Sequence, residues 1–268
     1  MDVNVGISGI PLSAKGSDTG SGLRVLKKLG LDLMEIQFSR NIYLNSDSAR
    51  TVGNIAKELG IGLTCHASYY INLASQKKEV QDASVKRIVD TLIVAETLRA
   101  KLIVVHAGYY SGRSHEDAYD IIKSNIDVIG TKCPSKVKIG IETMGRQKSF
   151  GTVDEVIRLC NDCPNVYPVI DFGHIHARNF GNINTVCDFT SIFEKFENET
   201  GINRFHIHMS CMRHANGNEI SHLPLDSFDP DFRLMAKSIN DNGYKCSVVC
   251  ESPRLEQDAL LFRSWLKS

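Results

Sequence analysis

Lys101-Leu102-Ile103-Val104-Val105-His106-Ala107 is an apolar run of strand length that closes on an imidazole. Its β-branched residues fall on both faces, as in a parallel strand covered on both sides. The pattern recurs outward in both directions. Thr64-Cys65-His66, Gly140-Ile141-Glu142, Val169-Ile170-Asp171, His206-Ile207-His208 and Val249-Cys250-Glu251 each end an apolar run on an imidazole or a carboxylate. Strands are expected over residues 3–8, 33–38, 62–68, 101–107, 137–143, 166–172, 204–210 and 245–252. Between them, apolar residues three and four apart predict helices over 22–29, 46–59, 78–98, 114–131, 152–160, 184–198, 230–242 and 255–265. Eight strand–helix pairs in one chain are the pattern of an α/β, (β/α)8 TIM barrel, expected as a single domain over residues 1–268.

Local punctuation agrees. Thr152-Val153-Asp154-Glu155 reads as a capping box, and Asp229-Pro230 as an N-cap followed by Pro at the first helical position. Gly60 and Gly243 stand where helices should stop. An open doubly wound sheet would carry a glycine-rich phosphate turn early in the chain. Gly6-Ile7-Ser8-Gly9 is not such a turn.

The chain has 31 basic and 31 acidic residues, and this balance argues against coating nucleic acid by long-range attraction alone. No apolar run is long enough to span a bilayer, and Met1-Asp2-Val3-Asn4-Val5-Gly6-Ile7 reads as a first strand rather than a signal peptide. A cytoplasmic location with no membrane partner is expected. The eight cysteines then read as free thiols, with Cys65, Cys246 and Cys250 inside strands. Cys160-Asn161-Asp162-Cys163 has CxxC spacing but no matching second pair, so a structural reading is preferred over zinc or redox chemistry.

A parallel barrel gathers the C-terminal ends of its strands around one pocket. Glu142, Asp171 and Glu251 buried together there would repel one another, and a divalent cation is the ordinary remedy. His66 and His106 end consecutive strands and precede Glu142. Asp171-Phe172-Gly173-His174, with His176 two residues on, is expected as a polar loop that Gly173 lets turn tightly. His206 and His208 share a strand face; His208, nearer the end, is the better ligand, and His206, deeper, is a supporting donor or a core residue. His222 is ambiguous, His214 reads as solvated and His115 as helix surface. Pro253 keeps the chain extended at Glu251, so its side chain can point at the pocket mouth. Nitrogen and oxygen donors without a thiolate fit zinc or manganese. Their number exceeds the needs of one ion. Two or three ions, bridged by Glu142, would suit phosphate-ester hydrolysis.

The ordered set His66-Ala67-Ser68-Tyr69, Ile71-Asn72-Leu73-Ala74, His106-Ala107-Gly108, Glu142-Thr143, Asp171-Phe172-Gly173-His174, His208-Met209-Ser210, His222-Leu223 and Glu251-Ser252-Pro253 resembles the endonuclease IV family. These are metal-dependent AP endonucleases of the xylose-isomerase-like barrel superfamily. The resemblance implies a zinc hydrolase of base excision repair, acting as a monomer on double-stranded DNA containing abasic sites. A metal-bridging hydroxide would cleave the phosphodiester on the 5′ side of the lesion, with Glu142 and Glu251 as catalytic carboxylates. By position, His66, His106 and Glu142 would hold a first zinc. Glu142 would bridge to a second, held by Asp171, His208 and Glu251. His174 and His222 would match two ligands of a third. One departure stands out: the family's Asp-x-His is here Ile220-Ser221-His222. Glu219, three residues before His222, is the first candidate to substitute, and a two-metal enzyme is the alternative. Tyr69 and Tyr70 are positioned to enter the DNA stack beside the lesion, and Arg40, Arg113, Arg146 and Lys148 to meet phosphates.

Two other readings stay open. A sugar isomerase or epimerase of the same superfamily would hold one divalent ion, such as Mn2+, on Glu142, Asp171, His208 and Glu251. A non-catalytic barrel would bind damaged DNA or a partner protein without turnover.

Overall fold

The structure is a computed structural model that describes residues 2–267. Eight parallel strands close a barrel: β1 (Val3–Ser8), β2 (Leu33–Gln37), β3 (Gly62–His66), β4 (Leu102–Val105), β5 (Lys138–Glu142), β6 (Val166–Asp171), β7 (Arg204–Met209) and β10 (Lys245–Cys250). Their order around the barrel is β1-β10-β7-β6-β5-β4-β3-β2. Two further strands, β8 (Cys211–Ala215) and β9 (Asn218–Leu223), form an antiparallel hairpin after β7. The helices are α1 (Thr19–Leu29), α2 (Ser46–Leu59), α3 (Lys78–Leu98), α4 (His115–Lys132), α5 (Val153–Asp162), α6 (Phe172–Arg178), α7 (Val186–Thr200), α8 (Phe232–Asn242) and α9 (Glu256–Leu266). Among the described residues, no helix is long and apolar enough to cross a membrane.

The chain divides into two compact units. One runs to Met34, takes in Gly145–Gln147 and resumes at Val169; the other comprises Glu35–Met144 and Lys148–Pro168. In the second, β4 pairs in parallel with β3 and β5 (Cys65↔Ile103, Val104↔Gly140), so His66, His106 and Glu142 leave three adjacent strands. All four residues of β4 are buried, and each such aliphatic side chain contributes roughly 1.5–3 kcal/mol. In the first unit, Asp171 of β6 and Val249 of β10 both pair with His208 of β7. Phe172, Phe189, Phe193 and Phe205 are fully buried there; the Phe172 ring lies 5.0 Å from Phe189 and 5.1 Å from Phe193, and Phe193 lies 5.0 Å from Phe205. They seat α6 and α7 against β7.

The expected capping box is present at α5, where Thr152 Oγ1 accepts from Glu155 N and Glu155 reaches back to Thr152 N. Gly60 and Gly243 end α2 and α8 in the left-handed region. The start of α8 differs from expectation. Asp231, not Asp229, is its N-cap, accepting from Arg233 N at 3.0 Å, because the Asp229 carboxylate is taken by His176 at 2.7 Å.

Two elements were not anticipated. The stretch after β6 is the helix α6 rather than a loop, capped by Asp171 Oδ1 on His174 N at 2.7 Å. Gly173 therefore makes no tight turn; its role is close approach. A Cβ there would stand 2.4 Å from the Ser210 carbonyl oxygen. The β8–β9 hairpin turns on Asn216 (φ 51) and Gly217 (φ 71), an Asn-Gly pair that is a strong hairpin signal in sequence. Its register shifts once: Met212 pairs with His222 and Arg213 with Ser221, but His214 pairs with Glu219. Ile220 is the extra residue of a β-bulge.

Candidate metal centre

His66, His106 and Glu142 come together at the ends of β3, β4 and β5. One ligand atom from each lies within 4.8 Å of the others. Glu142 is fully buried and His66 is 2% exposed. A single carboxylate oxygen, Glu142 Oε2, is 2.9 Å from His106 Nε2 and 3.5 Å from His66 Nε2. His66 Nδ1 lies 2.8 Å from the Ala67 carbonyl. A carbonyl only accepts, so Nδ1 carries a proton and Nε2 is the nitrogen turned toward Glu142. Two imidazole nitrogens converging on one buried carboxylate oxygen is an arrangement that a divalent cation can occupy. Holding the far nitrogen on a carbonyl is also how ligating histidines are oriented.

A second group forms in the other unit. Asp171, His208 and Glu251 offer atoms within 4.8 Å of one another, and Asp171 and His208 are fully buried. His208 Nδ1 is 3.5 Å from Glu251 Oε2. Glu251 N donates to Met209 O at 2.9 Å, so the chain is still extended one residue past β10. His206, buried below His208 with ring centroids 5.7 Å apart, occupies the deeper position expected of it. Donors are imidazole and carboxylate throughout, the set that suits zinc or manganese.

His174 stands on α6 between two carboxylates. Nδ1 is 3.4 Å from Asp171 Oδ2, and Nε2 is 2.9 Å from Glu219 Oε2. Its ring centroid lies 6.1 Å from that of His222. His222 Nδ1 donates to the Glu251 carbonyl at 3.0 Å, the same orientation as His66. His214 is not solvated as expected. It packs against His176 (5.2 Å between rings) with Asp229 3.6 Å away.

His176, His214 and Asp229 also lie within ligand distance of one another, but hydrogen bonding argues against an ion there. His176 Nδ1 accepts the Ile183 N–H at 3.1 Å, so Nε2 must carry the proton, which it donates to Asp229 at 2.7 Å. Neither nitrogen has a lone pair for a metal. Burial outweighs the Asp229 interaction and holds the His176 pKa below the ordinary value. His115 lies exposed at the start of α4, stacked on Tyr110 at 4.0 Å.

Glu35 is a buried polar group that the sequence reading passed over. It is fully buried in β2, where Oε2 accepts from Thr64 Oγ1 at 2.9 Å and Oε1 from Gln37 at 3.2 Å. A carboxylate within Leu33-Met34-Glu35-Ile36 was the available signal.

Tyr69 is 54% exposed, with its ring 5.2 Å from His66 and 5.5 Å from His106. Tyr70, 58% exposed, lies 6.0 Å from the Arg87 guanidinium. Arg40 and Lys148 are exposed. Arg113 and Arg146 are engaged within the chain, Arg113 with the Ala74 carbonyl and Arg146 with Glu219. Burial pushes the Cys160 thiol up to about 12 and the Cys163 thiol up to about 11, so neither is an activated thiolate at neutral pH.

The family model for the xylose isomerase-like TIM barrel matches residues 23–268. An uncharacterized protein of Methanocaldococcus jannaschii is 38% identical over 262 residues, 96% of this chain and 94% of its own length. A probable endonuclease 4 of Natronomonas pharaonis is 23% identical over 186 residues, 67% of this chain and 66% of that protein. Endonuclease IV from Thermus thermophilus shares the fold with a TM-score of 0.77 at 19% identity, over 100% of this chain and 99% of that one. A D-tagatose 3-epimerase-like protein does so with a TM-score of 0.73 at 23% identity, over 100% and 96%. With its closed parallel barrel, its ligand-type residues at strand exits and a family match over nearly its whole length, the chain belongs to the xylose isomerase-like TIM barrel family.

Proposed function

We propose that this protein is a zinc-dependent endonuclease that cleaves the DNA phosphodiester on the 5′ side of abasic sites. The observation that carries the reading is the His66–His106–Glu142 cluster. One buried carboxylate oxygen meets two imidazoles whose Nε2 atoms face it. In the single-ion alternative, His66 and His106 would be left to contact substrate or to serve structurally. By the resemblance to endonuclease IV, Glu142 would be the carboxylate shared between ions. Likeness to a probable endonuclease 4 supports the choice of DNA as substrate.

Divalent ions supply Lewis-acid activation and a nucleophile at neutral pH when bound. The chain's own residues do the rest. His66 and His222 donate from Nδ1 to backbone carbonyls, so Nε2 would be the atom offered to an ion. Burial of Glu142 and Asp171 excludes water that would otherwise weaken their interactions. Tyr69, exposed beside the cluster, would stack in the gap left by a missing base.

The test is a 5′-labelled duplex with one tetrahydrofuran abasic analogue, incubated with zinc-loaded protein. A nick 5′ to the analogue supports the reading. Inactivity across zinc, manganese and several salt concentrations removes it. The second reading, a sugar epimerase, rests on Asp171, His208 and Glu251 as the core of a one-ion site. One tightly held ion per chain together with ketose epimerisation would favour it.

A further inference from the structure

Four neighbouring connections at the C-terminal ends of the strands share one chemistry. β2, β3, β4 and β5 are consecutive in the barrel, and residues 38–45, 67–77, 106–114 and 143–152 follow them. These connections hold five basic side chains and no acidic one, in a chain with 31 basic and 31 acidic residues. The segment 210–231 after β7 is the reverse, with Arg213 against Glu219, Asp226, Asp229 and Asp231. Of the five cations, Arg113 and Arg146 are engaged within the chain, whereas Arg40, Lys77 and Lys148 are exposed.

The same connections carry exposed aromatic rings. Tyr43 is 56% exposed, Tyr70 58% and Tyr109 46%, in addition to Tyr69. Hydrogen bonds tie the connections to one another. Tyr69 N donates to the Ser39 carbonyl at 3.1 Å. Tyr109 N donates to Asn72 Oδ1 at 3.2 Å, and Asn72 Nδ2 donates to Ser111 Oγ at 3.2 Å. Tyr110 N donates to the Lys148 carbonyl and Phe150 N to the Gly108 carbonyl, both at 3.0 Å. Gly108 (φ 117) permits this approach, since a Cβ there would stand 2.5 Å from Asn72 Oδ1. The rings are thus presented on a braced backbone, which spares a ligand the entropy of ordering the loops.

Several exposed rings beside cations, with no carboxylate among them, suit a run of phosphates whose bases are open to stacking. A paired duplex covers its base faces and accepts only an inserted wedge. A neutral sugar has no charge to meet the cations. We propose that these four connections form a platform for unpaired nucleotides, with Tyr43, Tyr70 and Tyr109 stacking on bases and Arg40, Lys77 and Lys148 meeting phosphates. The preferred substrate is then nucleic acid that is single-stranded beside the reacting phosphate. This rests on the nucleic-acid substrate of the reading above and names its form.

The experiment is fluorescence anisotropy of labelled, undamaged oligothymidylate, alone and paired with oligoadenylate, on the zinc-loaded protein. The single strand should bind at least roughly tenfold tighter than the duplex, and Tyr43→Ala, Tyr70→Ala and Tyr109→Ala should each weaken it by about five- to a hundredfold. Tyr109→Phe keeps the ring and should bind as wild type. A smaller strand preference, or alanine variants that bind the single strand as wild type does, overturns the proposal. Lys148→Ala leaves every ring in place and gives a second reading: the slope of log affinity against log salt should shrink by about 0.7. An unchanged slope overturns the phosphate contact. Abasic single strand and abasic duplex are incubated in parallel. Selective binding of the single strand without nicking of either substrate removes the nuclease reading and leaves the platform, whereas nicking without a strand preference removes only the platform.

Discussion

In the proposed centre, the partner of Nδ1 separates the candidate ligands His66 and His222 from His176. His66 and His222 donate from Nδ1 to carbonyls, which leaves the lone pair on Nε2; His176 accepts a backbone N–H there, which spends both nitrogens. His66→Asn should therefore lose at least one zinc and slow nicking by on the order of a hundredfold or more, since each bound ion supplies several kcal/mol. His176→Ala should keep the full ion count. It should lower unfolding free energy by about 1–3 kcal/mol, because the Ile183 N–H and the Asp229 carboxylate lose their partner. Ion counting and denaturant unfolding on the two variants separate these outcomes. His66, His106 and Glu142 were legible in the sequence because each closes an apolar strand. The contrast between His174 and His176 was not, because the deciding N–H belongs to Ile183, seven residues beyond His176. Glu35 was missed although it interrupts an apolar run.

Elements show the same division. Strand positions and the α5 cap could be read from continuous apolar runs and from Thr152–Glu155. The helix α6 could not: it has seven residues, includes a glycine, and is held by Asp171 and the surrounding phenylalanines rather than by propensity. Gly173→Ala should improve helix propensity yet destabilise the protein by about 1–3 kcal/mol, since its methyl would collide with the Ser210 carbonyl. Thermal melts decide the sign. At the start of α9, Glu256 accepts the N–H groups of Leu12 and Ser13 at 2.9 and 2.8 Å. Burial raises its pKa, but the backbone donors outweigh burial and hold it below the ordinary value. A depressed carboxylate stabilises the fold above its unfolded pKa and loses that contribution as pH falls through the folded value. Glu256→Gln should thus be less stable than wild type at pH 7. The gap should close as pH drops below about 4, near the free glutamate pKa. Parallel denaturant curves from pH 7 to 3 check this.

At the scale of the whole molecule, the barrel was readable because eight strand–helix repeats leave few architectures open. The hairpin inserted after β7 was not read, despite its Asn-Gly turn. Yet this hairpin carries His222 and Glu219, where the sequence departs from the endonuclease IV pattern. Ions that bind the folded chain alone add stability by mass action, about 2.7 kcal/mol at a hundred times Kd. Chelation should lower the melting temperature by roughly 5–10 °C for a chain of this size, and zinc should restore it. A melting temperature indifferent to chelation would contradict a preformed centre. The most direct measurement is single-turnover nicking of an abasic duplex by zinc-reloaded wild type and Glu142→Gln, with ions counted in both. The account predicts one nick 5′ to the lesion by wild type and its loss, with at least one zinc, in the variant. Nicking that survives in Glu142→Gln, or in chelated protein, would contradict it.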